Sequence, residues 1–208
     1  MNEKIRIRTA KELDDRRNNF LEICNILDEL KLTYFIQGGT LLGAKRDKKF
    51  IEWDWDVEIS MFNNDLYRNF DKILSQLIKN NFKIYACVND LKSGKIDLYK
   101  NYDINVTGYT IFGWIHDEKN QCYVRRKISF PDKFLIEFEK IEFYGKIFNA
   151  PKPIDKYLEF QYGDWKTPKK TDVKEDYMTS RYFKRDNFIT KFIKFIITKI
   201  LKNLSKNA

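Results

Sequence analysis

Histidine and cysteine are scarce: His116 is the single histidine among 208 residues, and Cys24, Cys87 and Cys122 lie too far apart to form a Cys-x-x-Cys pair. That scarcity excludes several chemistries. A histidine-based metal centre needs more than one imidazole, and a thiolate zinc site needs clustered cysteines. Serine- or cysteine-nucleophile catalysis would rest wholly on His116, and no nucleophile motif lies near it. The dispersed thiols read as buried or idle groups in a reducing compartment, without a disulfide frame. The start, Met1-Asn2-Glu3-Lys4-Ile5-Arg6, has no apolar core of signal-peptide length, so a cytoplasmic location is expected. There is no internal repeat and no Gly/Ser linker.

With 43% hydrophobic and 16% aromatic residues, the chain has enough apolar material for one globular domain, and a second full domain would be cramped. The net charge of +9 is uneven. Residues 184–206 hold Lys184, Arg185, Lys191, Lys194, Lys199, Lys202 and Lys206 against Asp186, and the rest is close to balanced. A basic tail on a nearly neutral domain argues against a nucleic-acid partner for the domain.

The most informative stretch runs from Ile51 to Met61. Its odd positions are Ile51, Trp53, Trp55, Val57, Ile59 and Met61; between them stand Glu52, Asp54, Asp56, Glu58 and Ser60. Period-two alternation predicts a strand with an apolar and an acidic face, which places both tryptophans in the core. Same-face residues are about 6.7 Å apart along a strand, so neighbouring carboxylates can lean onto one ion. A hard divalent cation, Mg²⁺ or Mn²⁺, suits an all-oxygen set. The plainer alternative is a solvated acidic face; the basic chain, the two tryptophans and the nearby glycine pair speak against it.

Thr9-Ala10-Lys11-Glu12 has the form of a capping box before a helix carried to about Lys31 by Leu13, Phe20, Leu21, Cys24, Leu27 and Leu30. A short strand, Tyr34 to Gln37, then breaks at Gly38-Gly39-Thr40, with a brief helix over Leu41 to Arg46. Amides exposed at such a junction suit a phosphate, although paired glycines also simply make turns. A second helix is predicted from Asn64 to Asn80, then strands at Phe82–Val88, Lys95–Tyr99, Val106–Ile115 and Gln121–Ile128. A hairpin turns at Tyr144-Gly145, and a helix runs from Pro153 to Gln161 with Gly163 as its cap. Lys166 to Lys174 reads as loop. Residues 184–208 form a separate unit after the domain of residues 1–183. There Ile189, Phe192, Ile193, Ile196, Ile197, Ile200, Leu201 and Leu204 oppose a lysine face. Charge interrupts this amphipathic helix too often for a membrane span, so it either covers protein or lies on an anionic membrane surface, the latter being favoured.

Gly38-Gly39-Thr40-Leu41-Leu42-Gly43-Ala44-Lys45-Arg46 followed by Phe50 to Glu58 resembles the signature of the LicD and fukutin-related phosphotransferases. A second similarity runs through Phe130-Pro131, Ile141 to Ile147, Ala150-Pro151 and Tyr157 to Trp165, ending at Thr167-Pro168. The resemblance implies an α/β (α+β) nucleotidyltransferase-type mixed sheet flanked by helices. It also implies transfer of a phospho-alcohol, of the phosphocholine, ribitol phosphate or glycerol phosphate type, from a CDP-alcohol donor to a sugar hydroxyl of a surface glycan. Carried onto this chain, Gly38, Gly39 and Thr40 cradle phosphate, Arg46 adds a charged contact, and Asp54, Asp56 and Glu58 hold Mg²⁺ or Mn²⁺. Two departures stand out: Glu58 replaces the usual Asp, and Thr110 falls where a third acid is expected. Asp97 is then the carboxylate chosen as base, with Asp103 as the other option. The rival expectations are transfer of the nucleotide itself, or a degenerate, membrane-docking partner protein.

Overall fold

The computed structural model describes residues 5–100, 107–171 and 173–182. The tail predicted over 184–208, and Asp103, lie outside the described residues. Helix α1 (Ala10–Glu29) starts on the capping box: the Thr9 side chain accepts from the Glu12 amide, while Glu12 accepts from the Thr9 amide at 2.7 Å. Strand β1 (Tyr34–Ile36) leads into α2 (Gly38–Leu42), which continues as a π-helical turn through Gly43–Asp47. Strand β2 (Asp56–Phe62) is followed by α3 (Asn63–Lys79), β3 (Lys83–Val88), β4 (Lys95–Tyr99) and β5 (Gly108–Asp117).

These strands form a sheet in the order β1-β2-β5-β4-β3. Only β2 and β5 run parallel, joined by a crossover that includes α3; the other neighbours are antiparallel, so the sheet is mixed. Alternation gives the sheet two unlike faces. Val57, Ile59, Met61, Tyr109, Ile111, Ile96 and Leu98 are buried on the face covered by α1 and α3, which contribute Phe20, Ile23, Leu27, Leu66, Phe70, Ile73 and Leu77. Burying each such side chain contributes about 1.5–3 kcal/mol. Gly113 lets α3 approach β5, since a methyl group there would sit 2.2 Å from Asn63 Oδ1.

The opposite face carries Asp56, Glu58, Thr110 and Asp97. Beyond it the chain forms β6 (Cys122–Arg125) and β7 (Ile128–Pro131), with β6 pairing to the end of β5. The single strand predicted over Gln121–Ile128 is therefore two, because Arg126 takes a left-handed turn conformation (φ 55°) between them. A hairpin of β8 (Phe138–Phe143) and β9 (Lys146–Pro151) turns where predicted, with Tyr144 and Gly145 both at positive φ. Helix α4 (Ile154–Tyr162) ends at Gly163, also at positive φ, and α5 (Lys174–Tyr177) is a single turn. Among the described residues, no helix is long and apolar enough to cross a membrane.

Candidate active site

The predicted strand from Ile51 to Met61 is half strand and half turn. β2 begins only at Asp56, so Asp56 and Glu58 share its face while Asp54 stands on the turn before it. Tertiary hydrogen bonds override the alternation. The Asp54 amide donates to the Ile51 carbonyl at 3.1 Å, and the Asp54 carbonyl accepts from Arg8 Nε and Arg16 Nη2, both at 2.7 Å. The tryptophans follow the turn: Trp55 is 70% exposed and Trp53 half-buried, and both border a cleft, which corrects the expectation that both belong to the core.

That cleft, about 240 Å³, has Gly38, Gly39, Asp54, Asp56 and Glu58 along one wall. The lack of side chains at the glycines leaves the acids their room. A methyl group on Gly39 would lie 2.1 Å from Asp54 Oδ2, and one on Gly38, where φ is +60°, would lie 3.0 Å from Glu58 Oε2. The pair and the carboxylates thus form one surface. Thr40 is buried behind them, its hydroxyl 3.4 Å from the Glu58 carbonyl oxygen. The amides of Gly38, Gly39 and Thr40 open α2, where a helix has no backbone acceptor for them.

Burial in the cleft raises the proton affinity of Asp54 and Asp56, and the charge of Glu58 raises both further; Arg16 opposes the rise. Asp54 and Glu58 also act together on Asp56. Asp54 and Asp56, whose ionisation is opposed by burial and by the neighbouring Glu58 charge, are carboxylates that a divalent cation would relieve. Among the described residues, no three acidic, histidine or cysteine side chains converge tightly enough to make a ready-formed metal site. The donor set therefore fits a hard cation in kind, and the carboxylates would have to draw together to hold it.

Register places Thr110 beside Glu58 and Asp97 beside Thr110, making a row across β2, β5 and β4. The Thr110 hydroxyl donates to Asp97 Oδ1 at 2.7 Å, and Lys95 Nζ lies 2.5 Å from Asp97 Oδ2. Asp97 and Thr110 are both buried and neither lines the cleft, so the carboxylate expected as base is not brought into it. Arg46 does line it, yet its guanidinium is occupied: Nε and Nη2 donate to Asp47 at 2.9 and 2.8 Å, and Nη1 reaches the Trp165 carbonyl at 3.4 Å.

Two arginines were missed from the sequence. Arg16 looks like part of the polar face of α1 but is buried and holds the Asp54 turn. Arg125, at the end of β6, lies 3.1 Å from Glu58 Oε1. The second wall of the cleft was missed as well: Gln161, Tyr162 and Trp165, and then Thr167, Lys169, Thr171 and Lys174 from the segment read as loop. Alternating charge could have suggested neither arginine. The Tyr-Gly-Asp-Trp run at 162–165 was the available signal for the second wall.

The family model described as LicD/FKTN/FKRP, nucleotidyltransferase domain, matches residues 31–153, more than half of the chain. Human ribitol 5-phosphate transferase FKRP is 24% identical over 159 residues, covering 68% of this chain and 30% of that protein. Lipopolysaccharide cholinephosphotransferase LicD of Haemophilus influenzae is 39% identical over 62 residues, covering 26% of this chain and 23% of that protein. The chain spans under a third of the length of these curated relatives. The solution structure of the antibiotic-resistance factor ANT(2'')-Ia superposes with a TM-score of 0.48 at 13% identity, covering 79% of this chain and 80% of that one. On the family match and the glycine-carboxylate wall it spans, this chain belongs to the LicD/FKTN/FKRP nucleotidyltransferase-domain family.

Proposed function

We propose that the chain transfers a phospho-alcohol from a CDP-activated donor to a sugar hydroxyl of a glycan, assisted by Mg²⁺ or Mn²⁺. The observation that supports this reading is the closeness of the Gly38-Gly39 backbone to Glu58 and Asp54, where only the lack of a side chain leaves room for the carboxylates. The names of the relatives, a ribitol 5-phosphate transferase and a cholinephosphotransferase, support the phospho-alcohol as the group moved.

Asp54, Asp56 and Glu58 would hold the cation, which when bound supplies charge neutralisation for the donor's diphosphate. The amides of Gly38, Gly39 and Thr40 orient the phosphate oxygens. A bond forms between the acceptor oxygen and the phosphorus bearing the alcohol, the phosphorus bond to CMP breaks, and its electron pair leaves with CMP. Asp97 is the carboxylate proposed to take the acceptor's proton; neither it nor Thr110, whose hydroxyl donates to it at 2.7 Å, lines the cleft, so the acceptor would have to reach past Glu58 to the row they form. The second wall, with Tyr162 and Trp165, would face the donor.

The test incubates the protein with CDP-choline, CDP-glycerol or CDP-ribitol and an acceptor glycan, with and without EDTA. CMP release that stops with EDTA and in Asp56→Ala is expected. Release that survives both defeats the reading. If the nucleotide half of a labelled donor ends on the acceptor, the chain moves the nucleotide instead. If CDP and Mg²⁺ leave the melting temperature unchanged, it is a degenerate partner protein.

A further inference from the structure

Arg125 lines the cleft beside Glu58, and nothing in the family signature names it. Its guanidinium lies flat on the acidic face of the sheet, 3.5 Å from the centre of the Phe112 ring and 5.9 Å from that of Trp114. Stacking of this kind fixes the plane of the fork and leaves its edges to donate. One edge meets Glu58: Arg125 Nη2 to Glu58 Oε1 is 3.1 Å. Arg125 Nε is buried and has no hydrogen-bond partner, although the residue borders the cleft. A buried guanidinium N–H left unpaired is costly, so an incoming acceptor oxygen would be favoured. Arg46 differs sharply, because Asp47 already takes two of its donors.

Glu58 is paired with Arg125 at Oε1, and its Oε2 lies where a methyl group on Gly38 would come within 3.0 Å. A cation coordinated by Glu58 would compete with Arg125 for that carboxylate. From this geometry we infer that Arg125 is an exchangeable counter-ion: it neutralises Glu58 while no cation is bound, and turns its fork to the donor's diphosphate when a divalent cation takes Glu58. The stacked ring provides the pivot, since rotation over Phe112 keeps the guanidinium desolvated and parallel to the sheet. The inference rests on the diphosphate donor proposed above and adds the residue that recognises it.

Calorimetric titration of the full chain with Mg²⁺ alone, and with CDP in EDTA or in Mg²⁺, tests the exchange without turnover. For Arg125→Gln we expect Mg²⁺ to bind at least threefold more tightly, because its competitor is gone, and CDP to bind at least tenfold more weakly in Mg²⁺. Arg125→Lys keeps the charge but not the fork; it should leave Mg²⁺ binding near the wild-type value and still weaken CDP at least threefold, and it serves if Arg125→Gln does not fold. CDP affinity within twofold of wild type in both variants overturns the inference alone, as does weaker Mg²⁺ binding by a folded Arg125→Gln. A wild-type chain that binds Mg²⁺ but no CDP overturns the proposed function and this inference with it.

Discussion

The two walls of the cleft are made in opposite ways. The acidic wall is sheet and helix start: Asp56 and Glu58 on β2, backed by fully buried Val57 and Ile59 and flanked by β1 and β5, with Gly38 and Gly39 pressed against the carboxylates. The facing wall is mostly irregular chain between Gly163 and Tyr182. It is tied down at a few points: the Thr179 amide donates to the Gln161 carbonyl at 2.8 Å, the Ser129 amide to the Tyr182 carbonyl at 3.1 Å, and Lys170 sits 5.2 Å from the Trp53 ring centre. The family match covers residues 31–153, hence the acidic wall and not the other. Sheet-borne carboxylates inside the family match thus face a surface of aromatics and lysines carried by irregular chain. Under the proposed function, the first wall would carry the bond-breaking step and the second would choose what is carried.

The largest effect should come from the middle of the acidic wall. Asp56→Asn is expected to lower donor turnover by about 10³-fold, the scale of losing a charged group aimed at the reacting phosphate. The same change should improve the cation-free protein. Asp56 has its pKa raised to about 8, chiefly by burial and then by Glu58 and Asp54, from an ordinary value of 3.8. The folded state therefore holds the proton more tightly than the unfolded state. The stability this confers is complete below about pH 4 and is lost as pH climbs toward 8. In EDTA, the wild-type melting temperature should fall across that window, and Asp56→Asn or added Mg²⁺ should flatten the fall. An unchanged slope would mean that the acidic wall does not hold Asp56 against its charge.

Gly39→Ala comes next. Its methyl group cannot coexist with Asp54 Oδ2 at 2.1 Å, so the carboxylate must move by roughly an ångström, and turnover should drop about 100-fold with the fold intact. Arg46→Lys breaks the fork to Asp47 and the reach to the Trp165 carbonyl, one of the links between the walls. A rise of about tenfold in donor KM with little change in kcat is expected, about 1.4 kcal/mol of lost binding. A fall in kcat as large as that of Gly39→Ala would show that the second wall is as integral to the chemistry as the first.

How legible these regions were follows the same division. Period and caps announce regular elements: the Thr9–Glu12 box and β4 at Lys95–Tyr99 lie where the residues place them. Glycines that must sit against carboxylates are visible as a Gly-Gly pair upstream of an acidic row. What alternation cannot reveal is where a strand yields to a turn held from elsewhere, as Arg8 and Arg16 hold Asp54. Nor can it reveal a long-range pair such as Arg125 with Glu58, 67 residues apart. The stretch from Lys166 to Lys174 has no period at all, so its part in the cleft arises only from what it packs against.

Trp55 decides how far the comparison reaches. It follows Asp54 in the chain and its amide donates to Asp54 Oδ1 at 3.0 Å, so by backbone it belongs to the acidic wall. Its ring, 70% exposed at the cleft, would face the ligand as the aromatics of the other wall do. If rings at the mouth select the ligand, Trp55→Ala should leave the melting temperature nearly unchanged, because a side chain this exposed contributes at most about 0.5 kcal/mol to folding. Donor KM should rise about fivefold, near 1 kcal/mol and at the low end of what an aromatic contact to a base or ligand supplies. The backbone bond to Asp54 survives the substitution, so kcat should stay within about twofold. Should kcat fall while KM holds, the ring would be steadying Asp54, and the boundary between chemistry and selection would run through the mouth of the cleft instead of between its walls.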